Sequence, residues 1–164
     1  MAERGGPAAQ AGIHYQNCVS ALYLARMCDA RSRPSRGRVV EVRVEAPTEV
    51  DDTVVRYADE HHTYIQVKLD VSRGDRAWRK LWRAFDAQYR RDNFDRGSDR
   101  LLLCAGTFRP EHHELKRLCF RATTSEDYEE LWGRLTSPQQ ALVREIDSMR
   151  PGSVGEAEDR KSVV

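Results

Sequence analysis

Polar and apolar positions alternate most cleanly over Val39 to Glu45 and over Thr63 to Leu69, with the period of two of a β-strand. In the first stretch Val40, Val42 and Val44 fall on one face and Glu41, Arg43 and Glu45 on the other. In the second, Tyr64, Gln66 and Lys68 share one face while Ile65, Val67 and Leu69 share the opposite one, so Gln66 and Lys68 point together. Pro47 and its polar neighbours interrupt the first run, Asp52 to Tyr57 resumes it through Thr53, Val54 and Val55, and Ala58 to His62 makes a turn.

Helical spacing flanks these strands. Gly12 to Met27 reads as a helix, with Tyr15, Val19, Leu22 and Met27 near one face and Ala21, Leu24 and Ala25 widening the apolar surface. Asp75 to about Arg91 reads as another, its core stripe being Trp78, Leu81, Trp82, Phe85 and Tyr89. Leu101 to Phe108 is an apolar run of strand length, consistent with a strand covered on both sides. Pro110 opens a helix to about Phe120, Thr124 or Ser125 caps the next, and Ser137-Pro138 starts a last one to about Met149. The pattern predicts a flexible start over 1–11, one α/β domain over 12–150 and a disordered tail or linker over 151–164.

Composition narrows the class. A chain of 164 residues with 40% hydrophobic and 32% charged residues suits a globular domain, and no apolar run approaches the ~20 residues needed to cross a bilayer. The start lacks a secretory pattern, so the expected location is the cytoplasm. Cys18, Cys28, Cys104 and Cys119 form no C-x-x-C pair and are expected to be reduced, mostly buried thiols and not zinc ligands. The net charge of +1 hides an imbalance: Val71 to Arg100 holds nine basic and five acidic residues, Glu111 to Val164 eight basic and eleven acidic. Arg76, Arg79, Lys80 and Arg83 on the predicted second helix, and Arg31, Arg33 and Arg36 in the Arg31 to Arg38 loop, are therefore candidate phosphate contacts.

Candidate chemistry concentrates between Glu45 and Lys68. Glu45, Asp51 and Asp52 precede a strand carrying an amide and a lysine two apart, a set able to hold a divalent ion and to place a cation beside phosphate. Each residue also has a plain structural role, the aspartates in turns and Lys68 at a strand edge. His61-His62 and His112-His113 are adjacent pairs whose side chains diverge, Ser20, Ser72 and Ser125 lack a G-x-S-x-G setting, and no Gly-rich phosphate loop occurs.

Gly12-Ile13-His14-Tyr15-Gln16, Val44-Glu45, Val50-Asp51-Asp52 and Ile65-Gln66-Val67-Lys68, in the order helix, three strands, helix, strand, helices, resemble the PD-(D/E)xK double-stranded DNA endonuclease domain of bacterial antiphage effectors. These are the effector nucleases associated with CBASS systems and with STAND-type NTPases, distantly related to Mrr-type restriction enzymes. The resemblance spans about Gly12 to Phe108. It implies a restriction-endonuclease-like core, a central mixed sheet flanked by helices, with extra C-terminal helices. It also implies a Mg²⁺-dependent endonuclease, with Mn²⁺ as an alternative ion, acting on double-stranded DNA as a homodimer or larger assembly under a sensor or NTPase in cis or in trans. Carried over residue by residue, Asp52 matches the metal-binding aspartate, with Asp51 as a substitute. Gln66 matches the amide of a Q-x-K variant, Lys68 the catalytic lysine, and Glu45 a second acidic position. Gln16 stands where some relatives carry a glutamate. A catalytically silent DNA-binding or oligomerisation module on the same fold, and an RNA-directed nuclease, are the alternatives.

Overall fold

The computed structural model describes residues 6–29 and 37–150. Its elements are α1 (Gly6–Cys28), β1 (Val39–Val44), β2 (Thr53–Tyr57), β3 (His62–Lys68), α2 (Arg76–Tyr89), β4 (Arg100–Ala105), α3 (Pro110–Thr123), α4 (Tyr128–Arg134) and α5 (Ser137–Ser148). The architecture is mixed α/β, with one four-stranded sheet in the order β1-β2-β3-β4 and five helices. β1 and β2, and β2 and β3, run antiparallel, whereas β4 lies parallel to β3. A parallel neighbour requires a crossover, and α2 lies in it. Arg31, Arg33 and Arg36, and the tail from Pro151, lie outside the described residues.

The chain divides into two compact units, one of residues 1–71 and 84–107, the other of residues 72–83 and 108–164. The first holds the sheet and α1. Its core joins Val19 and Tyr23 of α1 to Val39, Val55, Ile65 and Val67, with Tyr15, Val42, Tyr57 and Cys104 packed around them. Tyr15, Val19 and Tyr23 recur every four residues and so form one helical stripe. The rest of the apolar surface expected of this helix is exposed: Leu22, Leu24 and Met27 face away, and polar Ser20 is buried in their stead. The helix also begins at Gly6, not Gly12, because small residues and Pro7 continue it without adding the apolar period that marks a helix in sequence.

A register shift between Val39 and Glu41 changes the reading of β1. The extra residue puts Val39 with Val42 on the α1 side, and Val44, expected in the apolar face, is exposed near the end of an edge strand. Glu41 and Arg43 then lie opposite Arg56 and Val54, and Glu41 accepts from both guanidinium groups. Those two hydrogen bonds hold the Glu41 carboxyl below its usual range.

β4, expected to be covered on both sides, is half-buried and ends the sheet, with Leu102 exposed. The parallel ladder continues past it, Gly106 and Thr107 donating to the carbonyls of Lys68 and Leu69, each at 2.9 Å. A Cβ on Gly106 would stand 2.9 Å from both the carbonyl oxygen and Cδ1 of Leu69. Gly106→Ala is therefore expected to cost about 1–3 kcal/mol in urea unfolding, since the backbone beside Lys68 must shift to admit the methyl group.

Cysteine exposure departs from expectation, since Cys18, Cys28 and Cys119 are exposed and Cys104 is half-buried. Cys18 and Cys28 fall outside the Tyr15–Val19–Tyr23 stripe of α1, so helical phase leaves them on the outer surface. Burial pushes the Cys104 thiol up, which lowers its thiolate fraction. Cys104 is expected to react with Ellman's reagent about tenfold more slowly than Cys18 and Cys28 at pH 8, as mass-resolved labelling would read.

In the second unit Asp75 caps α2 by accepting from the Trp78 amide at 2.6 Å. Trp78 and Leu81 are fully buried, with the Trp78 indole N–H donating to Glu145 at 3.1 Å. α4 is capped by Asp127, whose side chain accepts from the Glu130 amide at 2.8 Å, and not by Thr124 or Ser125. Their hydroxyls instead close the α3 end, both donating to the Arg121 carbonyl, at 3.1 and 2.9 Å. Buried Gln139 of α5 accepts from the Thr136 amide and donates to Glu114.

Candidate active site

Asp52 lies just ahead of β2. Because Thr53 pairs with Ile65 in an antiparallel ladder, the next pair along the strands brings Asp52 opposite Gln66, and directly opposed residues share a face. Gln66 and Lys68 are two apart on β3, so all three side chains gather at one end of the β2–β3 hairpin. The Oδ2 atom of Asp52 accepts from the Gln66 amide, from the Val67 backbone N–H at 2.6 Å and from Lys68 Nζ at 3.0 Å. Gln66 is buried, whereas the Asp52 and Lys68 side chains are 17% and 29% exposed, so the pair opens to solvent. Oδ1 has no hydrogen-bond partner among the described residues.

Gln16, a possible ligand by its place on the helix, and Ser20 hold Asp52 in place by other means. Gln16 donates from its amide nitrogen to the Asp52 carbonyl at 3.0 Å, and one turn later Ser20 Oγ lies 3.0 Å from Thr53 Oγ1. These residues form a polar rung of α1 laid on the start of β2. A polar residue inside an apolar helix face is the signal that could have found them. Gln16 thus acts here on the backbone of Asp52 through its nitrogen.

Glu45 meets Asp52 through the backbone. Its N–H donates to the Asp52 carbonyl at 3.2 Å, and Ala46 N–H donates to the Asp51 carbonyl at 2.9 Å, extending the β1–β2 ladder beyond both strands. Glu45 is left-handed at φ 50°, an uncommon conformation for a residue with a Cβ. Its side chain and that of Asp51 are exposed. Buried Ala46 and Val50 anchor the connecting loop, and fully buried Gln88 accepts from the Glu49 N–H at 3.2 Å.

The donor set has been drawn together sparsely. Among the described residues no group of three His, Cys, Asp or Glu side chains could hold a metal ion. What Asp52 and Gln66 present is one carboxylate with a spare oxygen and one amide carbonyl oxygen. That suits a hard dication such as Mg²⁺, which takes one or two carboxylates and keeps several waters, and it does not suit zinc.

Arg76, Arg79, Lys80 and Arg83 are exposed on the part of α2 that belongs to the second unit. Tyr89, expected in the core stripe, is exposed, with its ring against Phe94 and the Arg96 guanidinium 5.2 Å above it. The histidine pairs diverge as expected. His61 bonds Asp59 at 2.6 Å while His62 Nδ1 stands 3.5 Å from Asp99. His112 is buried, accepting the Arg109 N–H at 3.0 Å, and His113 is exposed.

No described helix is long and apolar enough to cross a membrane. In comparisons with family models, curated proteins and solved structures, the chain matches none of them.

Proposed function

We propose that the chain is a metal-dependent endonuclease of the PD-(D/E)xK type, hydrolysing phosphodiester bonds of double-stranded DNA. The observation that carries this reading is the meeting of a carboxylate, an amide and an ammonium group at the open end of the β2–β3 hairpin of a mixed sheet. Asp52 and the Gln66 carbonyl oxygen would hold Mg²⁺ or Mn²⁺, with Glu45 or Asp51 reaching it through water. When bound, the ion polarises the phosphate and acidifies a coordinated water.

The chain's own groups do the rest. Water attacks phosphorus, the bond to the leaving sugar oxygen breaks, and negative charge accumulates on the phosphate oxygens. Lys68 supplies a positive charge and N–H donors for those oxygens or for the attacking water. Its tip is solvent-accessible while its stem belongs to β3, so the ammonium can turn from Asp52 to phosphate without disturbing the strand. Gln16 and the Glu45 N–H fix the Asp52 backbone, which keeps the carboxylate from following the lysine. The expected setting is an effector domain of a bacterial antiphage system, acting in the cytoplasm as an assembly controlled by a sensor.

One observation favours a second reading. Three donors on a single carboxylate oxygen also make a good staple between β2 and β3, and a silent DNA-binding or oligomerisation module on this fold would keep such a staple for stability alone. Supercoiled plasmid, linear duplex and single-stranded RNA, each incubated with Mg²⁺ or Mn²⁺ and with EDTA, decide between them. The nuclease reading predicts nicking and linearisation of duplex DNA that EDTA stops. Cleavage of RNA alone would move the substrate class, and binding without cleavage under any ion would favour the silent module.

A further inference from the structure

We infer that α1 is a self-association surface on which a second copy of this chain packs, the two helices antiparallel about a twofold axis near Asn17 and Ala21. In a chain that is 32% charged, the twenty residues from Gly6 to Ala25 contain no Asp, Glu, Lys or Arg. Only one stripe of this helix, Tyr15, Val19 and Tyr23 with Gln16 and Ser20, meets the sheet. The opposite side presents Ile13 at 58% exposure and Leu24 at 43%, with exposed Asn17 and Ala21 between them. The exposed surface of α2, by contrast, carries Arg76, Arg79 and Lys80. A helix that is hydrophobic all round is a covered helix, and α1, with Ile13 and Leu24 exposed and no charge beside them, tends toward that kind.

The lack of charge identifies the occupant. A charged partner surface would lose its hydration against this face with no ion pair in return, so what covers it is itself uncharged. The chain's own uncharged helical face is α1. The pattern is self-complementary in the antiparallel sense: the bulky residues lie toward the ends and the small and amide residues at the middle. A twofold axis there sets Ile13 of one copy against Leu24 of the other and lets the helices approach at Ala21. Asn17 then packs against Ala21 of the other copy, an amide against a small residue on either side of the axis. With 23 residues α1 is about 35 Å long, and one helix face buries less than the ~800 Å² per partner of standard interfaces. A dimer with a dissociation constant on the order of micromolar is therefore expected. This inference stands independently of the nuclease reading.

Sedimentation equilibrium of the full chain tests it. The expected result is a reversible dimer whose dissociation constant rises about a hundredfold or more in Leu24→Glu, where an unpaired carboxylate would be buried, while the thermal midpoint of the dilute protein stays unchanged. With Cys18 and Cys28 replaced by serine, Ala21→Cys should become crosslinkable between copies by a short thiol-to-thiol reagent. Native Cys28, near the helix end, should not link to its counterpart. A monomer at every concentration overturns the inference, as does a dimer indifferent to Leu24→Glu. Crosslinking through Cys28 instead of position 21 overturns the antiparallel arrangement. A monomer whose Leu24→Glu variant melts lower would mean that the chain covers this face itself, and that also overturns the inference.

Discussion

Asp52→Ala is expected to remove metal-dependent cleavage and to destabilise the first unit by about 1–3 kcal/mol, because it deletes the acceptor shared by three donors. The buried Gln66 amide and the Val67 N–H would each be left without that partner, which is the costly half of losing a hydrogen bond. Asp52→Asn separates the two effects. It keeps an acceptor oxygen for Val67 but loses the charge that holds both Lys68 and a dication, so it should restore most of the stability and none of the cleavage. Urea unfolding read beside plasmid nicking gives both numbers from one preparation. If Asp52→Asn cut DNA at the wild-type rate, the carboxylate would have no catalytic part.

The largest loss of stability is expected at Trp78, far in kind from the candidate site. Its side chain is fully buried, the Trp82 ring meets it edge-on with centroids 5.4 Å apart, and its indole N–H bonds Glu145. Trp78→Ala should cost about 3–5 kcal/mol, the transfer term of a large aromatic plus the cavity it leaves. Trp78→Phe should cost less, since most of the volume stays and Glu145 retains its ion pair with Arg73. The check is the urea midpoint of each variant, followed by circular dichroism. A Trp78→Ala loss below about 1 kcal/mol would show that the site collapses around the gap.

How much of this was legible in the sequence differs from element to element, and the differences have physical causes. β3 could be read because alternation survives where a strand is regular on both sides: Gln66 and Lys68 share a face as expected, and antiparallel pairing brings Asp52 to them. α5 could be read because Ser137-Pro138 is a local signal, Pro fixing its own backbone angle at the first turn. β1 misled because a bulge adds a residue without changing composition, which shifted Val39 into the core, while Val44 is exposed by its place near the end of an edge strand. α1 misled differently. An uncharged helix offers no polar face to mark its orientation, so Leu22 and Leu24 looked as buried as Val19. The capping of α4 by Asp127 was missed because Thr124 and Ser125 are equally good caps on paper, and only the return of their hydroxyls to Arg121 shows them finishing α3.

The candidate site was legible as a set of residue types and not as a set of contacts. Asp52, Gln66 and Lys68 meet because pairing and pleat force them to. Glu45 and Gln16, both considered as ligands through their side chains, meet Asp52 by a backbone N–H and an amide N–H that hold its main chain. No residue-type pattern distinguishes a side chain that would bind an ion from one that steadies the backbone of the residue that does.

Lys68 is the group whose loss should abolish most cleavage while leaving the fold almost untouched. Its pair with Asp52 is partly exposed, and such pairs contribute roughly 0–1 kcal/mol. The direct test is the initial nicking rate of supercoiled DNA in Mn²⁺ for the wild type and for Lys68→Ala at matched protein concentration. A fall of about 10²–10⁴-fold with an unchanged unfolding midpoint is expected, the magnitude of a positioned proton-transfer or charge-stabilising group. Metal-dependent nicking by Lys68→Ala at the wild-type rate would contradict it.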